Sequence, residues 1–256
     1  MDLQLKGKTA VVTGGTRGIG RAIAETFADE GANVAICARK AEQVDEAVKA
    51  LQAKGVKAFG EAVDIADGPA LQGFVKAAAQ ALGGLDVLVS NASALVQGNS
   101  EKDWRAMFDI DMLGAVRTFE AAQPLLTKAA AEKGDAAFLI ISSVSSVNAD
   151  APSSYGAMKA ALIHFAKGVA RANAAAKVRC NVVSPGTVFF EDGVWGNVKR
   201  TAPGFFEQMI KRNPTGRMAT PQEIAAATVF LASPRSAFTT GINMIVDGAI
   251  TQRANY

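Results

Sequence analysis

The sequence is poor in the residues that build disulfides, metal sites and membrane spans. Only two cysteines occur in 256 residues, Cys37 and Cys180, too few for a disulfide framework. Both sit inside apolar runs, which predicts buried free thiols and a reducing, cytoplasmic location. A single histidine, His164, beside two separated cysteines supports no ordinary zinc site, so no metal is expected. Twenty-seven Lys and Arg against 24 Asp and Glu leave a net charge of +3. No block of five like charges occurs, so nucleic acid is not an expected partner. No apolar run reaches the ~18–20 residues of a membrane span, and residues 1–8 lack a signal-peptide core, so no membrane partner is expected either.

What the chain does have is alternation. Short apolar runs rich in Val and Ile predict strands at 9–13, 33–37, 56–63, 85–90, 137–142, 178–184 and 243–247. Between them, Ala-rich segments predict helices at 18–30, 42–53, 69–82, 153–175 and 221–231, and one long helix over 102–130. The stretch 187–212 reads as irregular with helical pieces. Strands without polar alternation are buried on both faces, the mark of a parallel sheet between helical layers. Seven such strands with short links predict one doubly wound α/β domain over residues 1–256, without linker or repeat. Ligands bind such sheets at the carboxyl ends of the strands.

The first predicted strand runs into TGGTRGIG at 13–20. Glycines there permit a tight turn and the close approach of a pyrophosphate, which the N-terminus of the next helix would face. Gly14, Thr16, Arg17, Gly18, Ile19 and Gly20 are the candidate contacts. A carboxylate closing the second strand would favour NAD(H), whereas a cation accommodates the 2′-phosphate of NADP(H). The sequence there is Ala38-Arg39-Lys40, and Arg17 adds a further cation, so NADP(H) is expected over NAD(H).

Tyr155 and Lys159 are four apart on a predicted helix and share a face. An ammonium beside a phenol stabilises the phenolate and makes proton exchange with a substrate oxygen feasible. The strand before that helix ends in Ser142-Ser143, whose hydroxyls suit a carbonyl oxygen.

These pieces, with SNAS at 90–93, SPGT at 184–187, PTGR at 214–217 and TGINMIVDGA at 240–249, resemble the short-chain dehydrogenase/reductase family over nearly the whole chain. The resemblance implies a Rossmann fold, in which Tyr155 exchanges the proton and Lys159 tunes it and binds the nicotinamide ribose. A serine polarises the carbonyl: Ser142 stands at the family's usual spacing from Tyr155, whereas Ser143 stands at the usual place on the strand, and Ser143 is favoured. Asp64 with Ile65 resembles the segment that reads the adenine edge, and Asn91 and Ala92 the loop against the adenosine. Pro185, Gly186, Thr187 and Val188 resemble the nicotinamide loop, with Thr187 on the amide.

Two departures stand out. Ser93 replaces a usual glycine near the cofactor, and Asp111 stands where the family usually has a catalytic Asn. Asp111 would pair with Lys159 and keep it charged, or alter the proton route, in either case as part of the catalytic set.

For the substrate, a flap at about 188–212 carrying Phe189, Phe190 and Trp195, together with Leu95 and Val96 in loop 94–98, suggests a fairly apolar wall. The same aromatics also suit packing within a small helical subdomain. The expected activity is a ketone/secondary-alcohol oxidoreductase acting on a small molecule. The alternatives are a 3-oxoacyl or enoyl thioester reductase, with Lys199, Arg200, Lys211, Arg212 and Arg217 meeting phosphates, and an NADP(H)-binding sensor. By resemblance a homo-oligomer is expected, a tetramer in particular. His164 reads as a core or interface residue.

Overall fold

The computed structural model describes residues 1–96, 98–149 and 151–253. Each Val/Ile run becomes a strand: β1 (Thr9–Thr13), β2 (Asn33–Ala38), β3 (Ala58–Ala62), β4 (Val87–Ser90), β5 (Ala136–Ile141), β6 (Val178–Pro185) and β7 (Asn243–Val246). They pair in the order β3-β2-β1-β4-β5-β6-β7, every pair parallel. Chain order reverses between β1 and β4, opening the crevice in which such sheets bind ligands.

Alternation within each strand feeds two cores. Val11, Leu88 and Phe138 join one, with Phe74, Phe119 and Leu162 from the helices α3 (Gly68–Leu82), α5 (Leu113–Lys133) and α6 (Ser154–Asn173). Val12, Val89 and Leu139 join the other, with Phe27, Leu51 and Val229 from α1 (Gly18–Asp29), α2 (Ala41–Gln52) and α9 (Pro221–Ala232). None of the helices among the described residues is long and apolar enough to cross a membrane.

A buried arginine closes the far end of the fold. Arg179 pairs with Asp135 at 2.7 Å and donates to the carbonyls of Leu231, Ala232 and Ser233, the unsatisfied acceptors at the end of α9.

The long helix expected over 102–130 is divided. α4 (Glu101–Met107) passes through one π-helical turn, Phe108–Met112, into α5. Such turns insert an extra residue, and hydrophobic periodicity does not reveal them. Residues 187–212 are more regular than expected, for they contain α7 (Val194–Thr201) and α8 (Pro203–Arg212). Their aromatics pack helix against helix: Phe189 meets Phe206 edge-on at 5.6 Å and Trp195 stacks on Phe205 at 6.1 Å. His164 is exposed on α6, so it is not a core residue. Cys37 and Cys180 are buried free thiols; burial pushes Cys37 up to about 12 and raises Cys180 as well.

Candidate active site

The glycine-rich turn is shaped by close approaches. Gly14 has φ +67°, a conformation few side chains adopt. A Cβ on Gly20 would lie 2.2 Å from the Gly14 carbonyl oxygen and 2.3 Å from Asn91 Nδ2. Asn91 Nδ2 donates to the carbonyls of Thr13 (3.0 Å) and Gly14 (3.2 Å), and Thr13 Oγ1 accepts from the amides of Asn91 and Ala92. Asn91 thus ties the turn to the end of β4. A Cβ on Gly15 would strike Ile36 at 2.5 Å, so this glycine, absent from the expected contacts, shapes the turn too. The α1 N-terminus that follows has no side-chain cap at Arg17, leaving its N–H groups for an anion.

Around this crevice stand the other expected contacts. Ile19 packs against the core at the start of α1, and Thr16 is half-buried in the turn. At the end of β2, Arg39 and Lys40 are exposed, and among the described residues neither enters an ion pair. The carboxylate of exposed Asp64 accepts from the Ala66 amide at 2.9 Å, and Ile65 is buried against Gly114. A Cβ on Gly186, after Pro185, would lie 2.8 Å from Asp247. Thr187 Oγ1 is buried and has no hydrogen-bond partner, and Val188 bridges to Ala219. The glycine cradle, the uncapped helix end and this orphaned hydroxyl together fit a nicotinamide dinucleotide lying across the crevice.

The catalytic candidates converge at the ends of β4 and β5. Lys159, one turn after Tyr155 on α6, holds its Nζ 5.6 Å from the centre of the tyrosine ring. Its Nζ donates to the Ile141 carbonyl at 3.1 Å and lies 2.9 Å from Asp111 Oδ1, both side chains being buried. Burial alone works to lower the lysine's pKa, but the Asp111 carboxylate, helped by Tyr155, outweighs it and holds the ammonium above the ordinary lysine value. Ser142 is committed elsewhere: its Oγ donates to the Lys159 carbonyl at 2.9 Å. Ser143 caps the short 3₁₀ turn Val144–Ser146, and its Oγ accepts from the Ser145 amide, which leaves its hydroxyl proton to donate. That turn abuts the start of α6, since a Cβ on Gly156 would lie 2.7 Å from the Ser145 carbonyl oxygen. The structure therefore gathers Tyr155, Lys159 and Asp111, sets Ser143 on the turn that abuts the start of α6, and gives Ser142 a helix-anchoring bond.

The segment 188–212 reaches back to the glycine-rich turn. Arg17 Nη1 donates to the Asp192 carbonyl at 3.2 Å, and a Cβ on Gly18 would lie 2.5 Å from the Phe190 ring. Phe189 and Trp195 are instead held by the segment's own aromatic pairs. On the opposite wall, Ser93 Oγ accepts from the Leu95 amide at 3.2 Å, Leu95 is exposed with φ +52°, and Val96 is half-buried. Gln97 of this loop lies outside the described residues. Of the expected phosphate contacts, Lys199 sits 5.0 Å over the Phe189 ring and Arg200 donates to the Glu191 carbonyl, while Arg217 is bound by Glu223 at 2.6 Å.

The chain can also be set beside known proteins. A family model described as enoyl-(acyl carrier protein) reductase matches residues 14–251. Isoepoxydon dehydrogenase patN of Penicillium expansum is 34% identical over 252 residues, spanning 96% of this chain and 95% of that protein. The 3-oxoacyl-(acyl-carrier-protein) reductase FabG of Staphylococcus aureus is 31% identical over 250 residues, spanning 95% and 98%. L-Sorbose reductase from Gluconobacter frateurii, solved with NADPH and L-sorbose, superposes with a TM-score of 0.91 at 30% identity, covering 99% of this chain and 100% of that one.

Proposed function

Because this chain belongs to the short-chain dehydrogenase/reductase family and is one of its oxidoreductases, we propose that it interconverts a ketone and a secondary alcohol with NADP(H). The observation that carries the reading is the buried Asp111–Lys159 pair beside Tyr155, which keeps an ammonium next to the phenol. When bound, the nicotinamide would supply or accept the hydride. The chain's own residues position the substrate oxygen and move its proton. Ser143 donates its hydroxyl hydrogen to that oxygen, and Tyr155 delivers the proton in reduction or takes it in oxidation. Lys159 offers positive charge to the phenolate and would donate to the nicotinamide ribose, while the Thr187 hydroxyl, unpartnered among the described residues, would hold the carboxamide.

NADP(H) is preferred over NAD(H) in this reading. Support comes from Arg39 and Lys40 at the end of β2, from the absence of a carboxylate there, and from the NADPH bound by the sorbose reductase. Residues 188–212 act as the flap over a fairly apolar small molecule, with Phe190 against the glycine-rich turn and Leu95 and Val96 as the facing wall. The buried free thiols suit a reducing cytoplasm. A homotetramer is favoured, with the exposed aromatics Trp104 and Phe108 on one helical face as contacts.

The family model's description and the FabG relative favour, as a second reading, reduction of a 3-oxoacyl or enoyl thioester. Arg217, bound by Glu223, is withdrawn from the expected phosphate contacts of such a substrate. A pure NADP(H) sensor has no use for the Ser143–Tyr155–Lys159 set. The test is NADPH and NADH oxidation by the purified protein with ketones, 3-oxoacyl thioesters and enoyl thioesters. Turnover of ketones with NADPH, lost in Tyr155→Phe, is expected. Thioester-only turnover refutes the substrate class, a preference for NADH refutes the cofactor, and tight NADPH binding without any oxidation favours the sensor.

A further inference from the structure

Asp111 touches more than the lysine. It sits on the π-helical turn Phe108–Met112, where the extra residue turns its side chain inward, and it is 2% exposed. Oδ1 lies 2.9 Å from Lys159 Nζ. Oδ2 accepts from the backbone amide of Ala94 at 2.9 Å. Ala94 is the base of the loop that carries Leu95, the left-handed residue on the substrate wall, and Ser93 Oγ secures the same loop one residue away. One buried carboxylate therefore joins two parts of the site that come from distant stretches of chain.

We propose that Asp111 is a positioning residue that couples the substrate wall at Ser93–Leu95 to the ammonium of Lys159, and that only a carboxylate can do so. The inference rests on the reading of the site as a carbonyl reductase and adds to it a determinant of substrate fit. Two N–H donors converge on the two oxygens of one group. Ionised Asp is acceptor-only: Oδ2 accepts the Ala94 bond, and Oδ1 meets the ammonium as a buried ion pair rather than through a well-directed hydrogen bond. Asn has nearly the same shape but one acceptor oxygen and an NH2 group, so one of its ends would set donor against donor, either at Lys159 or at Ala94. A buried donor left without an acceptor moves away or draws in water. Either response shifts the lysine or the wall.

Asp111→Asn tests this. Among the described residues, the ionisable groups facing Lys159 are Asp111 and Tyr155. With the carboxylate gone, desolvation of Lys159 is no longer outweighed. The alkaline limb of carbonyl reduction should move to lower pH. Loss of the Ala94 bond should raise the substrate KM and speed amide exchange at Ala94 by roughly five- to tenfold, the worth of one hydrogen bond. Ser93→Ala, which frees Leu95 but leaves the carboxylate in place, should raise KM without moving the limb. Amide exchange reads the coupling whether or not the chosen ketones react, so a failure of the reductase reading is seen separately, as wild-type protein with no turnover. The proposal is overturned if Asp111→Asn leaves both the exchange of Ala94 and the alkaline limb at their wild-type values. It is equally overturned if the variant only melts earlier while its folded fraction keeps the wild-type KM and alkaline limb, which is what a purely structural residue would do.

Discussion

The same substitution, Gly→Ala, should have opposite signs at two helical positions, and the difference follows from what a Cβ meets. At Gly73, exposed in the middle of α3, nothing lies within 4 Å. Alanine there gains ~0.5–1 kcal/mol of stability by restricting the unfolded chain and favouring the helix. At Gly20 the Cβ would sit 2.2 Å from the Gly14 carbonyl and 2.3 Å from Asn91 Nδ2; the first is backbone, and the second is a side-chain end tied to the turn by two hydrogen bonds. The glycine turn must recede from α1, and the two Asn91 bonds that hold it, at 3.0 and 3.2 Å, are strained or lost. Two such bonds contribute about 1 kcal/mol each, and overpacking costs ~1–3 kcal/mol more. Set against the gain in helix propensity, a net loss of about 2–4 kcal/mol is expected. For a chain of this size each kcal/mol shifts Tm by roughly 2–4 °C. Gly20→Ala should therefore melt well below the wild type and Gly73→Ala slightly above it. The recoil also displaces the α1 N-terminus from the phosphates. Misplacing a positioning element by roughly 1 Å costs on the order of 100-fold, so kcat/KM should fall far more than the stability change alone explains. Thermal unfolding and titration of NADPH by fluorescence are the measurements. If Gly20→Ala binds NADPH and melts as the wild type does, the close-approach account of this turn is wrong.

Other outcomes follow from the same coordinates. Arg179→Met strands Asp135 and three carbonyls at the end of α9 and should cost ~3–5 kcal/mol in urea unfolding; a loss within the ordinary surface range would mean that water replaces the guanidinium. Removing Arg39 and Lys40 together should weaken NADPH on the order of tenfold to 100-fold while sparing NADH, and equal losses with both cofactors would contradict a 2′-phosphate contact. Lys159 is held above its unfolded value, so its contribution to stability is complete below about pH 10.5 and is lost as pH rises through the folded value. Alkaline unfolding followed by circular dichroism should show that loss in the wild type and not in a Lys159→Met, Asp111→Leu double variant. Cys37 and Cys180 should resist thiol reagents at pH 8 until the protein is denatured, and native-state labelling would refute their burial.

Much of this molecule was written locally. A buried parallel strand needs an unbroken Val/Ile run, and an amphipathic helix needs its 3.6-residue stripe, so the seven strands and most helices could be placed from periodicity alone. The glycine turn and the Tyr155–Lys159 pair were legible because their geometry depends on neighbours a few residues away. The division of the long helix was hidden, because a π turn keeps the same apolar composition on either side of it. The choice between Ser142 and Ser143 was half legible: place on the strand favoured Ser143, but that the Ser142 hydroxyl is taken by the Lys159 carbonyl, a bond across 17 residues of chain, could not be read from the sequence. The same holds for the aromatics of residues 188–212, four of which pack in two pairs while Phe190 rests on Gly18. Most of all, Asp111 reads in the sequence as a departure from a pattern. Its meeting with Lys159 and Ala94, 48 and 17 residues away along the chain, exists only once the sheet has brought the ends of β4 and β5 together. The sequence determined the elements and the chemistry available, because those depend on local periodicity and residue type. The tertiary structure alone decided which polar groups face one another, because hydrogen bonds and ion pairs act over ångströms of space and not along the chain.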